Sequence, residues 1–278
     1  MKFITYLHDD KPGWGLLDDG VIIDLSHFEP SLKAAVGNGS LADAAGAAAN
    51  GETMPLDEIT YLPPIPDPAR ILCIGQNYAA HRDEMGGDRT AHPLIFTRYP
   101  SSVSGHGQTL VKPAESDEYD YEGELAVIIG RSGRRISPEQ ALDHIAGYSC
   151  FMDGSIRDYQ VHTTQYIPGK NFDASGSCGP WMIPAGEMPD PNAGYRLETR
   201  LNGATVQSTT TDLMLFPVPV LIAYLSTFTT LEPGDIIATG TPGGVGYKRE
   251  PQLYMFPGDQ VEVELEGIGT LSNTIEGN

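Results

Sequence analysis

Cysteine and positive charge are the two scarce components of this chain of 278 residues. Its three cysteines, Cys73, Cys150 and Cys178, are widely spaced and odd in number. That excludes a disulfide framework and argues against a cysteine-ligated zinc site. Each reads as a small core residue rather than a nucleophile, and a reducing cytoplasm is the expected setting. Lys and Arg total 17 against 37 Asp and Glu, a net charge of −20. Such a surface repels phosphate backbones and anionic lipid, so no nucleic acid and no membrane are expected as partners. No run reaches the roughly 18 apolar residues of a membrane-spanning helix. The apolar run in the opening "MKFITYLHDDKPGW" is too short for a signal peptide. An anionic substrate would need local cations to overcome the overall charge.

What is present points to a β-rich globular protein. Hydrophobic residues make up 40%, enough for a core, and 32 Gly with 22 Pro favour turns and short strands over long helices. "GWGLLDDGVIIDL" reads as a hairpin turning at Asp19-Gly20, and "YRLETRLNGATVQ" as another turning at Asn202-Gly203. The Ala-rich stretch from Ser31 to Asn50 predicts one or two short helices broken at Gly37 and Gly39. Pro63, Pro64, Pro66 and Pro68 forbid helix and central strand, so "YLPPIPDPAR" is a stiff connector. A boundary there gives a small N-terminal α+β domain, 1–64, and a larger domain, 65–278. "SPEQALDHI" predicts a helix with Ser137 as N-cap and Pro138 at its first position. "PVPVLIAYLSTF" predicts another after its prolines. The fold class expected is α+β and β-rich, a mixed-sheet roll or sandwich rather than a doubly wound sheet.

"DYEGELAVIIG" poses the chemical question. Side chains alternate along a strand, so Leu125, Val127 and Ile129 share one face and Glu122, Glu124, Ala126 and Ile128 the other. Two carboxylates this close repel, and burial makes each costlier. Asp153, at the end of the apolar "GYSCFMDG", supplies a third. Three carboxylates from two strand ends suit Mg²⁺ or Mn²⁺, and a dication removes the repulsion. The alternative is a solvated edge strand whose charges discourage aggregation. In "GQNYAAHRDE", His81 and Glu84 are three apart and share a face of one helical turn. A carboxylate there can hold the imidazole as a general base, or the two can form an ordinary surface pair. Arg98, Arg157 and Lys170 are cations that an anionic substrate would need. "ATGTPGGVG" is neither a phosphate-binding P-loop nor a dinucleotide fingerprint. Thr239 and Thr241, with free backbone N–H groups, could hold a carboxylate, or the stretch is a glycine-rich turn.

In order and spacing, "GQNYAAHRDE", "YEGELAVIIG", "GYSCFMDGSIRDYQ", "GKNFD", "LEPGDIIATGTPGGVG" and "PGDQVEVELEGIGTLSN" resemble the fumarylacetoacetate hydrolase superfamily over roughly residues 65–278. The resemblance implies a mixed-sheet roll, usually as a homodimer. It implies Mg²⁺ or Mn²⁺ held by Glu122, Glu124 and Asp153, and a catalytic His81/Glu84 dyad on a mobile lid segment. Lys170, Arg157 and Gln160 match positions that face the substrate, and Thr241 matches the threonine of the G-T-P turn. We assign catalysis to His81, Glu84 and Lys170, and substrate binding to Arg157, Gln160 and Thr241. Members act on 2-oxo acids and β-dicarbonyl compounds by C–C hydrolysis, decarboxylation or isomerisation. The expectation is a cytoplasmic hydrolase of aromatic catabolism that cleaves acylpyruvates such as fumarylpyruvate to pyruvate and an acid. Oxaloacetate decarboxylation or oxo-diacid isomerisation on the same site are the alternatives, and a non-catalytic ligand-binding protein is a third reading that the dyad weighs against. The chain departs from the family pattern at Met152, Ile156 and Arg98, where Asn, Ala and Lys are usual.

Overall fold

The computed structural model describes residues 1–88 and 90–277. It is α+β and strand-rich, as expected. A twelve-stranded mixed sheet forms its spine. From the N-terminal edge it runs Thr53–Pro55, Val21–Asp24, Lys11–Asp18, Lys2–His8, Gly176–Pro184, Ile145–Met152, Gly123–Ile129, Ile236–Ala238, Ile71–Gly75 and Leu94–Arg98, with two short strands joining off this path. Ile236–Ala238 and Ile71–Gly75 pair in parallel. A second sheet of five strands is built mainly on Arg196–Leu201, Gln260–Leu265 and Gly269–Gly277.

The strand Gly123–Ile129 is buried on both faces and sorts its side chains by the period of two. Leu125, Val127 and Ile129 pack into a core shared with Val261, Val263 and Leu271 of the second sheet and with Leu221, Ile222 and Leu225 of the helix Val218–Phe228. Ala126 and Ile128 face the opposite layer, with Phe3, Trp14, Leu32, Ala35 and Phe151. The N-terminal helix Leu32–Asn38 covers that layer. Ser31 Oγ caps it by accepting the Ala34 N–H at 3.1 Å. The sheet runs on across the proline connector, because Lys2–His8 pairs with Gly176–Pro184 at Phe3↔Met182.

Both hairpins turn where the sequence places them, with Asp18 opposite Val21 and Leu201 opposite Ala204. Two local expectations change. Gly37 lies inside the first helix, and only Gly39, at φ 70°, ends it. Residues Pro138–His144 form a 3₁₀ helix rather than an α-helix, and the Ser137 side chain does not cap it. That segment buries only Ala141 and passes directly into the strand at Ile145, so no apolar face stabilises an α-helical turn. The three cysteines are free and buried. Among the described residues no helix is long and apolar enough to cross a membrane.

Candidate active site and metal centre

Strand register assembles the carboxylates. Gly123 pairs with Met152 across antiparallel strands, so the residues just beyond, Glu122 and Asp153, become neighbours, and the Asp153 N–H donates to the Glu122 carbonyl at 2.8 Å. Glu122, Glu124 and Asp153 are all buried, and one donor oxygen from each lies within 4.8 Å of the others. The solvated-edge alternative is thereby removed. Gly123, between the glutamates, has no room for a side chain: a Cβ there would stand 2.1 Å from Thr199 Oγ1.

Cations reach two of the three carboxylates. Lys170 Nζ donates to Asp153 Oδ2 at 2.6 Å and to Glu122 Oε2 at 2.7 Å. Arg98 Nη1 donates to the other Asp153 oxygen at 2.7 Å, and its Nη2 to Ser175 Oγ at 2.7 Å. Arg98 is therefore a support for Asp153, and its planar fork reaches several partners that a lysine could not. Arg157 Nη2 lies 2.7 Å from Glu122 Oε1. Glu124 accepts the Gly240 N–H at 2.8 Å, but among the described residues it has no cation within 4 Å.

The electrostatics follow. Burial alone would raise Glu122, yet Lys170 and Arg157 hold it down at about 2. Burial, with Asp153 and Glu122 adding repulsion, pushes Glu124 well above the usual carboxylate range. Burial would lower Lys170, but Asp153 and Glu122 keep it raised and charged. The cluster thus contains one carboxylate that this chain's own cations leave uncompensated. Three hard oxygen donors with a residual demand for positive charge fit Mg²⁺ or Mn²⁺.

The short helix Ala79–Glu84 carries the dyad. His81 Nδ1 lies 2.8 Å from Glu84 Oε1, and Glu84 Oε2 accepts the Gly244 N–H at 2.9 Å. A carboxylate acceptor places the proton on Nδ1 and leaves the Nε2 lone pair free. Asn77 sets the start of this segment: its side chain donates to Thr239 O at 2.8 Å and accepts the Phe216 N–H at 2.8 Å. His81, Glu122, Arg157, Gln160, Lys170 and Thr241 line one cavity of about 250 Å³, together with Gln76, Phe96, Tyr166 and Tyr247. Asp153 is joined to that wall through Lys170, and Glu84 through His81.

The cavity-lining groups differ in what they can still offer. Arg157 is tied down: Nε donates to Asp120 Oδ2 at 2.8 Å and Nη1 to Gln160 Oε1 at 2.9 Å. Because Arg157 only donates, Gln160 must present its carbonyl to it, which leaves its amide N–H groups for an acceptor. The Thr241 hydroxyl donates to Gly123 O at 3.0 Å and accepts from Gln207 Nε2 at 2.9 Å. In the glycine-rich stretch, the backbone N–H groups do hold carboxylates, but these are the protein's own Glu124, Glu84 and Asp120.

Three supporting residues escaped the sequence reading: Asp120, Asn77 and Gln207. Asp120 accepts from Tyr121 N, Gly246 N, Tyr247 N and Arg157 Nε, all between 2.8 and 2.9 Å. A carboxylate with four acceptor positions filled is a rigid junction. Its one signal was its place in the strand motif that carries the glutamates. Asn77 and Gln207 gave none beyond polar residues in otherwise apolar segments.

Buried acidic oxygens, a lysine between them and an oriented imidazole over one cavity make a candidate centre for metal-dependent chemistry on a small molecule. Residues 70–276 match the family description "Fumarylacetoacetate (FAA) hydrolase C-terminal", and residues 1–64 match "Rv2993c-like, N-terminal". The chain belongs to the fumarylacetoacetate hydrolase family. It is similar to oxaloacetate tautomerase YisK of Bacillus subtilis, 44% identical over 224 residues, 79% of this chain and 74% of that protein. It is also similar to the mitochondrial oxaloacetate tautomerase fahd2 of Xenopus laevis, 37% identical over 289 residues, 99% of this chain and 90% of that one. Among solved structures, maleylpyruvate hydrolase from Sphingobium sp. SYK-6, in complex with manganese(II) and pyruvate, superposes with a TM-score of 0.85 at 25% identity, covering 100% of both chains.

Proposed function

We propose that this enzyme acts on a small anionic 2-oxo acid through its enol, and that its reaction is keto–enol tautomerisation of an oxaloacetate-like 2-oxo diacid. The observation that carries the reading is the shared cavity: Glu122 of the carboxylate cluster, Lys170 and His81 line the same space, with Asp153 joined to it through Lys170 and Glu84 through His81. Similarity to two oxaloacetate tautomerases over most of the chain supports the choice of substrate.

Glu122, Glu124 and Asp153 would hold Mg²⁺ or Mn²⁺, which when bound supplies a Lewis acid for the substrate's carboxylate and 2-oxo oxygen. Lys170 places a fixed positive charge beside the oxygen on which enolate charge develops. His81 Nε2 takes a proton from C3, and Glu84 steadies the imidazolium through Nδ1–H. The imidazolium then returns the proton to the C2 oxygen, giving the enol; the reverse sequence gives the ketone. The Gln160 N–H groups and the Arg157 guanidinium orient the substrate's carboxylate oxygens. A homodimer and a division of the chain after residue 64 belong to the same reading.

Acylpyruvate hydrolysis is the second reading. The same Nε2 can take a proton from water instead of C3, and the superposed maleylpyruvate hydrolase favours it. One experiment separates the two. Enolic oxaloacetate and fumarylpyruvate are incubated with Mn²⁺, enol absorbance is followed, and products are identified by NMR. A tautomerase converts oxaloacetate between forms with no loss of carbon. A hydrolase releases pyruvate and fumarate from fumarylpyruvate, and a decarboxylase releases pyruvate and CO₂ from oxaloacetate. No acceleration of any of these over Mn²⁺ alone would defeat the proposal.

A further inference from the structure

One loop joins the two halves of the site. On one side its Gly246 and Tyr247 N–H groups donate to Asp120 at 2.8 and 2.9 Å, at the foot of the carboxylate-bearing strand. On the other, its Gly244 N–H donates to Glu84 Oε2 at 2.9 Å, on the dyad helix. The Gly244 carbonyl is held as well, by the Tyr121 hydroxyl and by Arg249 Nε, each at 3.2 Å. Arg249 Nη2 also donates to Val206 O, fixing the arginine against the second sheet. Gly244 has φ 100°, and a Cβ there would stand 2.6 Å from Val206 O, so the position requires glycine. Its N–H is the single donor that Glu84 has outside its own helix among the described residues.

We propose that Arg249, assisted by Tyr121, is a positioning residue for the His81–Glu84 pair: by clamping the Gly244 carbonyl it aims the Gly244 N–H at Glu84 and so sets where the imidazole stands relative to the carboxylate cluster. Glu84 has two oxygens with separate duties. One orients His81, and the other reports the position of the loop. Asp120 fixes that loop to the strand bearing Glu122 and Glu124, so the base and the metal ligands are placed on one frame. A loosened loop leaves Glu84 free to turn away from Nδ1, and the imidazole loses its alignment with C3 while the carboxylates stay in place.

The inference rests on the role given to the dyad above, and its test includes a measurement independent of that role. Arg249→Met, Arg249→Lys and Tyr121→Phe are made in the full chain and loaded with Mn²⁺. Measured are kcat and KM on oxaloacetate, the Mn²⁺ dissociation constant, and hydrogen exchange of the Arg82 and Met85 amides, which close the dyad helix onto Tyr78 O and His81 O. Arg249→Met is expected to lower kcat about tenfold or more, to leave KM and Mn²⁺ affinity within about twofold, and to speed exchange of both amides. Arg249→Lys, which can still reach one carbonyl, restores part of kcat. A folded Arg249→Met protein with unchanged kcat and unchanged exchange overturns the proposal, as does a parallel loss of Mn²⁺ affinity and KM. Where Arg249→Met fails to fold, Tyr121→Phe decides by the same readouts, with a smaller effect expected. If oxaloacetate is not turned over at all, the functional reading fails, yet the exchange measurement still decides whether Arg249 holds the dyad helix.

Discussion

Glu124 stands beside Asp153 in a buried cluster with one donor oxygen of each within 4.8 Å, yet Lys170 pairs with Asp153 and not with Glu124. Like charges at that separation in a buried site cannot both persist without further positive charge. A dication is the remedy this donor set is shaped for, and four consequences can be measured.

Metal removal should reveal Glu124. Its folded pKa is raised well above the ordinary 4.5, so in metal-free protein its stabilising share is present below about pH 4.5 and is lost as pH rises from there through the raised folded pKa. Glu122, held at about 2, has the opposite sign: its share is present above 4.5 and is lost as pH falls through 2. Chelator-treated Glu124→Gln should therefore melt higher than chelator-treated wild type at pH 7 to 8. Mn²⁺ at about a hundredfold excess over its dissociation constant should stabilise wild type by about 2.7 kcal/mol and Glu124→Gln by much less. Equal stabilisation of both proteins would remove Glu124 from the ligand set.

His81→Asn should separate chemistry from metal binding. Loss of a general base costs about 10²–10⁴ in kcat. Titration calorimetry should find Mn²⁺ affinity unchanged, since His81 bonds to Glu84 and not to the carboxylate cluster. Retention of full turnover would take His81 out of the mechanism.

Gly123→Ala should damage the centre sterically and be open to repair. The added Cβ meets Thr199 Oγ1 at 2.1 Å, with Thr199 Cβ at 3.4 Å and Val263 Cγ1 at 3.3 Å. The single variant should lose Mn²⁺ affinity by about tenfold or more, because backbone displacement moves both flanking glutamates. Adding Thr199→Ala removes the worst contact and should recover most of the loss. If the double variant binds no better than the single one, the clash is not what disturbs the site.

Asp120→Asn should cost stability as well as rate. Each Asp120 oxygen accepts two of the four N–H donors, so an amide there leaves two of them facing an NH₂ group and leaves Arg157 with a weakened buried partner. Breaking such a pair costs about 3–5 kcal/mol, to be read by urea unfolding. A change under about 1 kcal/mol would show that the junction is not needed to hold Arg157.

Much of the fold was legible because local rules decide it. Asp19-Gly20 and Asn202-Gly203 supply the positive φ values that two-residue hairpins need, and both turns form there. The helix Val218–Phe228 forms where the sequence suggests but starts between its two prolines, with Pro217 just before it and Pro219 in its first turn, where the missing N–H costs nothing. Pro138–His144 misled because a favourable start cannot sustain an α-helix that buries a single residue. The site was legible in its residue types and less so in their duties. Arg157 and Thr241 do line the cavity, but apart from Gln160, one helical turn from Arg157, the groups that hold them are Asp120, Glu122, Gly123 and Gln207, in segments that no spacing rule relates to them.

By itself the sequence determined that Glu122 and Glu124 share a face, because side-chain alternation is a property of any extended backbone. It likewise put His81 and Glu84 one helical turn apart. Only the tertiary structure decided which charges meet. Strand register set Asp153 against Glu122. Lys170 came in from a separate short helix to bridge those two, and the Gly240 and Gly244 N–H groups were turned onto Glu124 and Glu84. Those contacts join residues far apart in the chain, and their geometry follows from how sheets and loops pack rather than from any local preference.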